Sequence, residues 1–231
     1  MRIGVPRELY AGEKRVATTP DVATQLIKLG FEVAVESNAG AAANYSDAAY
    51  EAAGCSIAAN ADELWAGADI VLKVRGPEEE EAARLKAGQT LISFLYPAQN
   101  PDLLARLTGS GATVMAMDSI PRISRAQSMD ALSSQSNIAG YRAVIEAASH
   151  FGRFLPLMMT SAGSAKPARV VVLGVGVAGL QAIATARRLG GDVYAYDVRP
   201  ETREQIQSLG AKVIDLDIGE GGAGEGGYAR E

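Results

Sequence analysis

Three glycines and one carboxylate carry the clearest chemistry in the sequence. Gly174, Gly176 and Gly179 make a G-x-G-x-x-G spacing in the run RVVVLGVGVAG, which starts at Arg169. In such a loop the first glycine permits the tight turn out of a strand, and the second lets the backbone come close to a pyrophosphate. The third lets the following helix pack close to the sheet. Val177 and Ala178 fall where a helix begins, so free N–H groups and the positive end of the helix dipole face the phosphates. Asp197 closes the next apolar run, near the spacing of roughly 20 residues at which an acid meets an adenosine ribose. A carboxylate there accepts hydrogen bonds from ribose hydroxyls and repels a 2′-phosphate, which favours NAD(H) over NADP(H). Arg199, two residues on, pulls the other way, because a guanidinium can meet a phosphate.

These residues need a strand, a helix and a second strand to hold them. Residues 170–173 are apolar and β-branched, as in a buried parallel strand. Residues 180–189 continue as a helix that stops at Gly190-Gly191, and 192–197 form the next strand. A helix over 201–209 and a strand over 212–214 follow. The remainder, 218–231, is glycine-rich and carries Tyr228. It reads either as a loose tail or as a flap over a cleft. A dinucleotide-binding domain normally has two βαβαβ halves, and only the first is expected here.

The first 120 residues repeat the same alternation. Strands are expected at 3–5, 31–35, near 57, at 70–74, 90–95 and 113–117. Helices are expected from Thr19-Pro20-Asp21 to Gly30, over 47–53 and 62–66, from Pro77 to Lys86 and from Pro101 to Thr108. Four glutamates in the first turn after Pro77 suit the helix dipole. Alternating strands and helices imply right-handed βαβ units and parallel sheets. The fold class is therefore α/β, with two parallel-sheet βαβ domains. The second is a Rossmann-type dinucleotide-binding domain, incomplete at the C-terminus. The domains are placed at 1–137 and 138–231.

The segment 121–137 between them is unusually polar. A long connecting helix is expected from near Ser128 to Gly152, with its polar N-terminal end either facing a cleft or capping the helix in solvent. An apolar piece over 154–159, a Ser/Gly/Ala turn and Lys166-Pro167 make a junction before the glycine loop.

Composition excludes several classes. The chain has 231 residues, 48% of them hydrophobic, and a net charge of −5 with no basic block, so a nucleic-acid binder is not expected. There is no run of about 18 apolar residues, so no membrane span is expected. Met1 leads directly into a strand-like pattern with no signal peptide before it. Cys55 is the only cysteine, which fits a reducing compartment.

The stretch PRISRAQSMDALSSQSNIAGYR, ending at Arg142, is the most specific in the chain. With the opening RIGVPRE and the glycine loop, it resembles the NAD(H)-binding component, domain I, of the proton-translocating NAD(P) transhydrogenases. The opening is shared with alanine dehydrogenase. The resemblance runs from Met1 to Glu231, and that family's domain I continues beyond this point. It implies that Arg122, Gln127, Asp130 and Ser133 hold the nicotinamide carboxamide and its ribose. It implies that Gly174, Gly176, Gly179 and Asp197 hold the pyrophosphate and adenosine ribose, and that Tyr228 belongs to a mobile loop closing over the nucleotide. It also implies a homodimer at the cytoplasmic face of a bacterial inner membrane, with NADP(H) on a partner domain and a separate proton-conducting membrane component.

Hydride transfer between two nicotinamides needs no protein acid or base, only orientation and electrostatics. The sequence fits: His150 sits late in the connecting helix, and Cys55 has no evident base. Two alternatives remain. An alanine dehydrogenase-like enzyme could bind a carboxylate with Arg15 and Lys73, but Tyr96 stands where that family places a catalytic histidine. A non-catalytic nucleotide-binding fragment is the other.

Overall fold

The first strand is short because Pro6 ends it. In the computed structural model, which describes residues 1–121 and 123–216, β1 (Arg2–Val5) lies between two later strands. It pairs in parallel with β2 (Glu32–Glu36), Ile3 opposite Val33, and with β4 (Ile70–Leu72), Ile3 opposite Ile70. Adding β3 (Ser56–Ala58), β5 (Thr90–Ser93) and β6 (Thr113–Ala116) gives an all-parallel sheet in the order β3-β2-β1-β4-β5-β6. Strand alternation sends Val33 and Val35 to one core, with Val5 and Tyr50, and Ala34 to the other, with Leu64, Trp65 and Leu91. Both faces are therefore buried, as a parallel sheet requires. The strand order reverses between β1 and β4, where such folds open a crevice at the carboxyl ends.

Side-chain caps start the helices. Thr19 Oγ1 accepts the Val22 N–H before α1 (Pro20–Lys28), Ser46 caps α2 (Asp47–Ala52) and Asn60 caps α3 (Ala61–Gly67). The helix expected from Pro77 to Lys86 is shorter: α4 spans only Glu79–Ala82. Beyond it, the N–H groups of Arg84 and Leu85 tighten onto residues three back, and the Lys86 N–H goes to the Gln89 side chain. Glu81, although buried, stays in the first turn and accepts the Glu78 N–H at 2.8 Å, closing a capping box. α5 (Pro101–Gly109) then leads into β6.

The described residues form two compact units, the second beginning after Pro121. The sequence boundary at 137/138 differs from this division, in which the polar segment and the whole connecting helix go with the second unit. That helix, α6 (Ala131–Phe151), starts three residues later than expected. Residues Ser124–Met129 form a tighter 3-10 helix, and Asp130 caps α6. The junction holds a small antiparallel hairpin, β7 (Met158–Thr160) with β8 (Gly163–Ala165), where the sequence reading placed only a turn. Then come β9 (Arg169–Leu173), α7 (Val177–Arg188), β10 (Asp192–Tyr196), α8 (Thr202–Ser208) and β11 (Lys212–Val213), in a parallel sheet ordered β11-β10-β9. Val144 of α6 shares the core of this unit with Val175, Ile183, Val193 and Ile206. No helix among the described residues is long and apolar enough to cross a membrane.

Candidate functional site: a glycine loop, a fixed carboxylate and a helix wall

The loop after β9 turns as its glycines predict. The Gly174 N–H continues the ladder to the Tyr196 carbonyl at 2.9 Å, and the backbone then swings through φ +90°, which glycine adopts without strain. Val175 points into the core. Gly176 caps α7, and a Cβ there would meet nothing within 4 Å, so its outer side is open. A Cβ at Gly179 would overlap the Gly174 carbonyl and lie 3.7 Å from Val172 Cγ1, so the helix lies directly on its own loop. The first N–H of α7 used inside the helix is that of Leu180, bonded to Gly176. The N–H groups of Val177, Ala178 and Gly179 lie in the first turn, where a helix has no internal acceptor for them.

Asp197 is tied into the glycine loop. Its Oδ2 accepts the Val175 N–H at 2.6 Å, and its Oδ1 accepts the Arg199 N–H at 2.9 Å. Arg199 Nε lies 2.9 Å from Oδ1 and Nη2 lies 3.0 Å from Oδ2, a bidentate pair. The Asp197 side chain is only 6% exposed. The Arg199 guanidinium, followed by the Val175 and Arg199 N–H groups, outweighs burial and brings its pKa down to about 2. The carboxylate is therefore charged at any physiological pH. The guanidinium that sequence reasoning offered to a phosphate is engaged with Asp197.

α6 supplies the facing wall. A cleft of about 960 Å³ is lined by the glycine loop from Gly174 to Gly179, by Asp197 and Arg199, and by Leu132, Ser136 and Gly140 of α6. Gly174, Gly176, Val177, Ala178, Gly179, Asp197 and Arg199 are thus brought together. Gln127, Asp130 and Ser133 are not among the lining residues; Ser133 lies in the first turn of α6, Asp130 caps it and Gln127 lies in the 3-10 helix just before it. Asp130 accepts the Ser133 N–H at 2.9 Å and its hydroxyl at 2.6 Å, which satisfies the opening turn of α6. The Gln127 carbonyl accepts the Asp130 N–H. Arg122 and Tyr228 lie outside the described residues. Sequence reasoning passed over Ser136 and Gly140. The signal was there: Leu132, Ser136 and Gly140 recur every fourth residue, one face of a helix.

Lys73, Arg15 and Arg75 of the first unit are engaged with protein carboxylates. Lys73, 1% exposed, sits 2.8 Å from Glu81 and 3.2 Å from Glu8. Arg15 forks onto Glu13, and Arg75 binds the same carboxylate. The Arg15 guanidinium holds the Glu13 carboxyl down at about 2. The Tyr96 backbone sits at φ +49°, held from its N–H by Asp118. Burial pushes the Cys55 thiol up, away from reactivity. His150 is exposed and bonds the Glu146 carbonyl one turn back, which leaves it outside the cleft lining.

A doubly wound first unit, followed by a βαβαβ unit with a phosphate-type glycine loop, defines a nucleotide-binding α/β protein. The chain belongs to the alanine dehydrogenase/PNT family: residues 4–139 match "Alanine dehydrogenase/PNT, N-terminal domain" and 143–223 match "Alanine dehydrogenase/PNT, C-terminal domain". It is 58% identical over 231 residues to the NAD(P) transhydrogenase subunit alpha of Cereibacter sphaeroides, covering 99% of this chain and 44% of that protein. Among solved structures it is similar to a transhydrogenase from Sinorhizobium meliloti, with TM-score 0.89 and 46% identity over 93% of this chain and 64% of that one. It also resembles an L-alanine dehydrogenase, with TM-score 0.80 and 29% identity over 92% of this chain and 60% of that one. The chain thus spans less than half the length of its Cereibacter relative.

Proposed function

We propose that the chain is the NAD(H)-binding component of a proton-translocating transhydrogenase. The observation that carries this reading is the buried Asp197 carboxylate, fixed against the glycine loop at the mouth of a dinucleotide-sized cleft. The cradle fits the group: the Gly176 side is open, the first-turn N–H groups of α7 are available to a pyrophosphate, and Asp197 stands ready for a ribose. The bound cofactor supplies the hydride, which passes from NADH to NADP⁺ held on a partner domain.

The residues of this chain bind and orient. Gly174, Gly176, Val177, Ala178 and Gly179 take the pyrophosphate, and Asp197, with Arg199 bracing it, takes the adenosine ribose. Arg122, Gln127, Asp130 and Ser133 position the nicotinamide end, and Tyr228 closes over it. No acid or base is required. The working form is a homodimer at the cytoplasmic face of the bacterial inner membrane, joined to NADP(H)-binding and proton-conducting components. Engagement of Lys73 and Arg15 with Glu8, Glu13 and Glu81 argues against an amino acid dehydrogenase, whose substrate carboxylate would need those cations.

Calorimetric titration with NADH and NADPH tests the reading. Saturable NADH binding with much weaker NADPH binding is expected. A preference for NADPH overturns the cofactor assignment, and no binding to either reduces the chain to a non-catalytic fragment.

A further inference from the structure

Gly140 is a buried glycine in the middle of α6. A Cβ built on it would overlap the Ala178 carbonyl oxygen, 2.8 Å from its carbon and 3.0 Å from the Ala178 Cα. All three are backbone atoms, so no rotamer change relieves the clash. Two backbones therefore meet with nothing between them, and Ala178 lies between the second and third glycines of the phosphate loop. One turn back along α6, Asn137 Nδ2 reaches Gln181 Oε1 at 3.3 Å, and one turn on, Val144 enters the shared core.

We infer that Gly140 is a positioning residue for the nicotinamide end of the nucleotide, setting how far the start of α6 stands from the pyrophosphate loop. This rests on the NAD(H) reading above. α6 is a rod keyed at Gly140, and its first residue, Ala131, lies nine residues away, about 14 Å along the axis. Asp130, Ser133 and Gln127 ride on that end. Of the two helices, α7 is the fixed one: Ala182, Ile183, Thr185 and Ala186 are buried, and its first turn rests on Gly174. α6 buries only Gly140 and Val144, so added bulk at the junction moves α6.

The test compares NADH with ADP-ribose, which has the pyrophosphate and adenosine but no nicotinamide, on the full chain. In Gly140→Ala, NADH affinity is expected to fall at least tenfold and ADP-ribose affinity less than threefold, with the circular dichroism spectrum retained. Equal losses for both ligands, or no loss for either, overturn the inference. If Gly140→Ala does not fold, Asn137→Ala, which alters an exposed side chain, carries the test. It removes the neighbouring tie and is expected to weaken NADH about threefold with ADP-ribose unchanged; the absence of that split overturns the inference. Failure of the unsubstituted chain to bind NADH overturns the NAD(H) reading instead.

Discussion

The Asp197 carboxylate accepts the backbone N–H of Val175 at 2.6 Å, tying the end of β10 to the turn after β9. The acid proposed to meet the ribose is therefore also a strut of the glycine loop, so its removal is expected to disturb both.

Asp197→Ala is expected to lower NADH affinity by roughly 10- to 100-fold, the scale of a lost hydrogen bond to a charged group at about 1.5–3 kcal/mol. It also leaves the Arg199 guanidinium without its carboxylate partner, so thermal stability falls. The double variant Asp197→Ala/Arg199→Ala is expected to recover part of that stability and none of the affinity. Calorimetry and thermal melts of the two variants check both outcomes.

The two glycines of the loop are expected to separate stability from binding. Gly179→Ala drives a Cβ into the Gly174 carbonyl and is expected to cost about 1–3 kcal/mol of stability. Gly176→Ala meets no protein atom within 4 Å and is expected to change stability by less than about 0.5 kcal/mol. Its methyl enters the space proposed for the pyrophosphate, so NADH affinity is expected to fall sharply. Urea unfolding with NADH titration would show whether the two effects divide this way.

Acid unfolding has a defined sign. The Asp197 carboxyl lies at about 2 when folded against an ordinary 3.8, and Glu13 at about 2 against 4.5. Both are depressed, so their stabilisation is present above about pH 4.5 and is lost as pH falls toward 2. For Asp197 it is about 2 kcal/mol. Burial pushes Glu81 upward, which opposes the trend. Replacing Asp197 with Asn should flatten the stability curve between pH 4 and 2; an unchanged slope there would sink the assignment.

Lys73→Met leaves Glu8 and Glu81 buried without their cation and is expected to cost about 3–5 kcal/mol. The double variant Lys73→Met/Glu81→Leu removes one carboxylate and is expected to recover part of that loss. NADH affinity is expected to stay as it was, because the residues proposed to bind the nucleotide belong to the other unit. Incubating the unsubstituted chain with alanine and NAD⁺ is expected to give no NADH; clear production would show that these cations do serve a substrate.

Much of this protein is written in local patterns. The alternation of β-branched runs with capped helices placed the parallel strands, because a strand's period and a helix's caps lie within a few residues of each other. The glycine loop and Asp197 were legible for the same reason: each glycine has its own backbone requirement, and the acid follows one helix later. The length of α4 was not legible, because beyond Ala82 the Arg84 and Leu85 N–H groups turn to residues three back and the Lys86 N–H goes to the Gln89 side chain. The engagement of Lys73 depends on Glu8 and Glu81 meeting it from other segments of the fold. Likewise, Arg199 looked open to a phosphate until its fork onto Asp197 was visible, and Gly140 was one small residue among many until Ala178 was found against it. The sequence by itself determined the parallel strands, most of the helices and where the glycine loop sits. Tertiary structure decided which charges are engaged and which helix walls the cleft, because those depend on segments brought together only when the sheet and its helices pack.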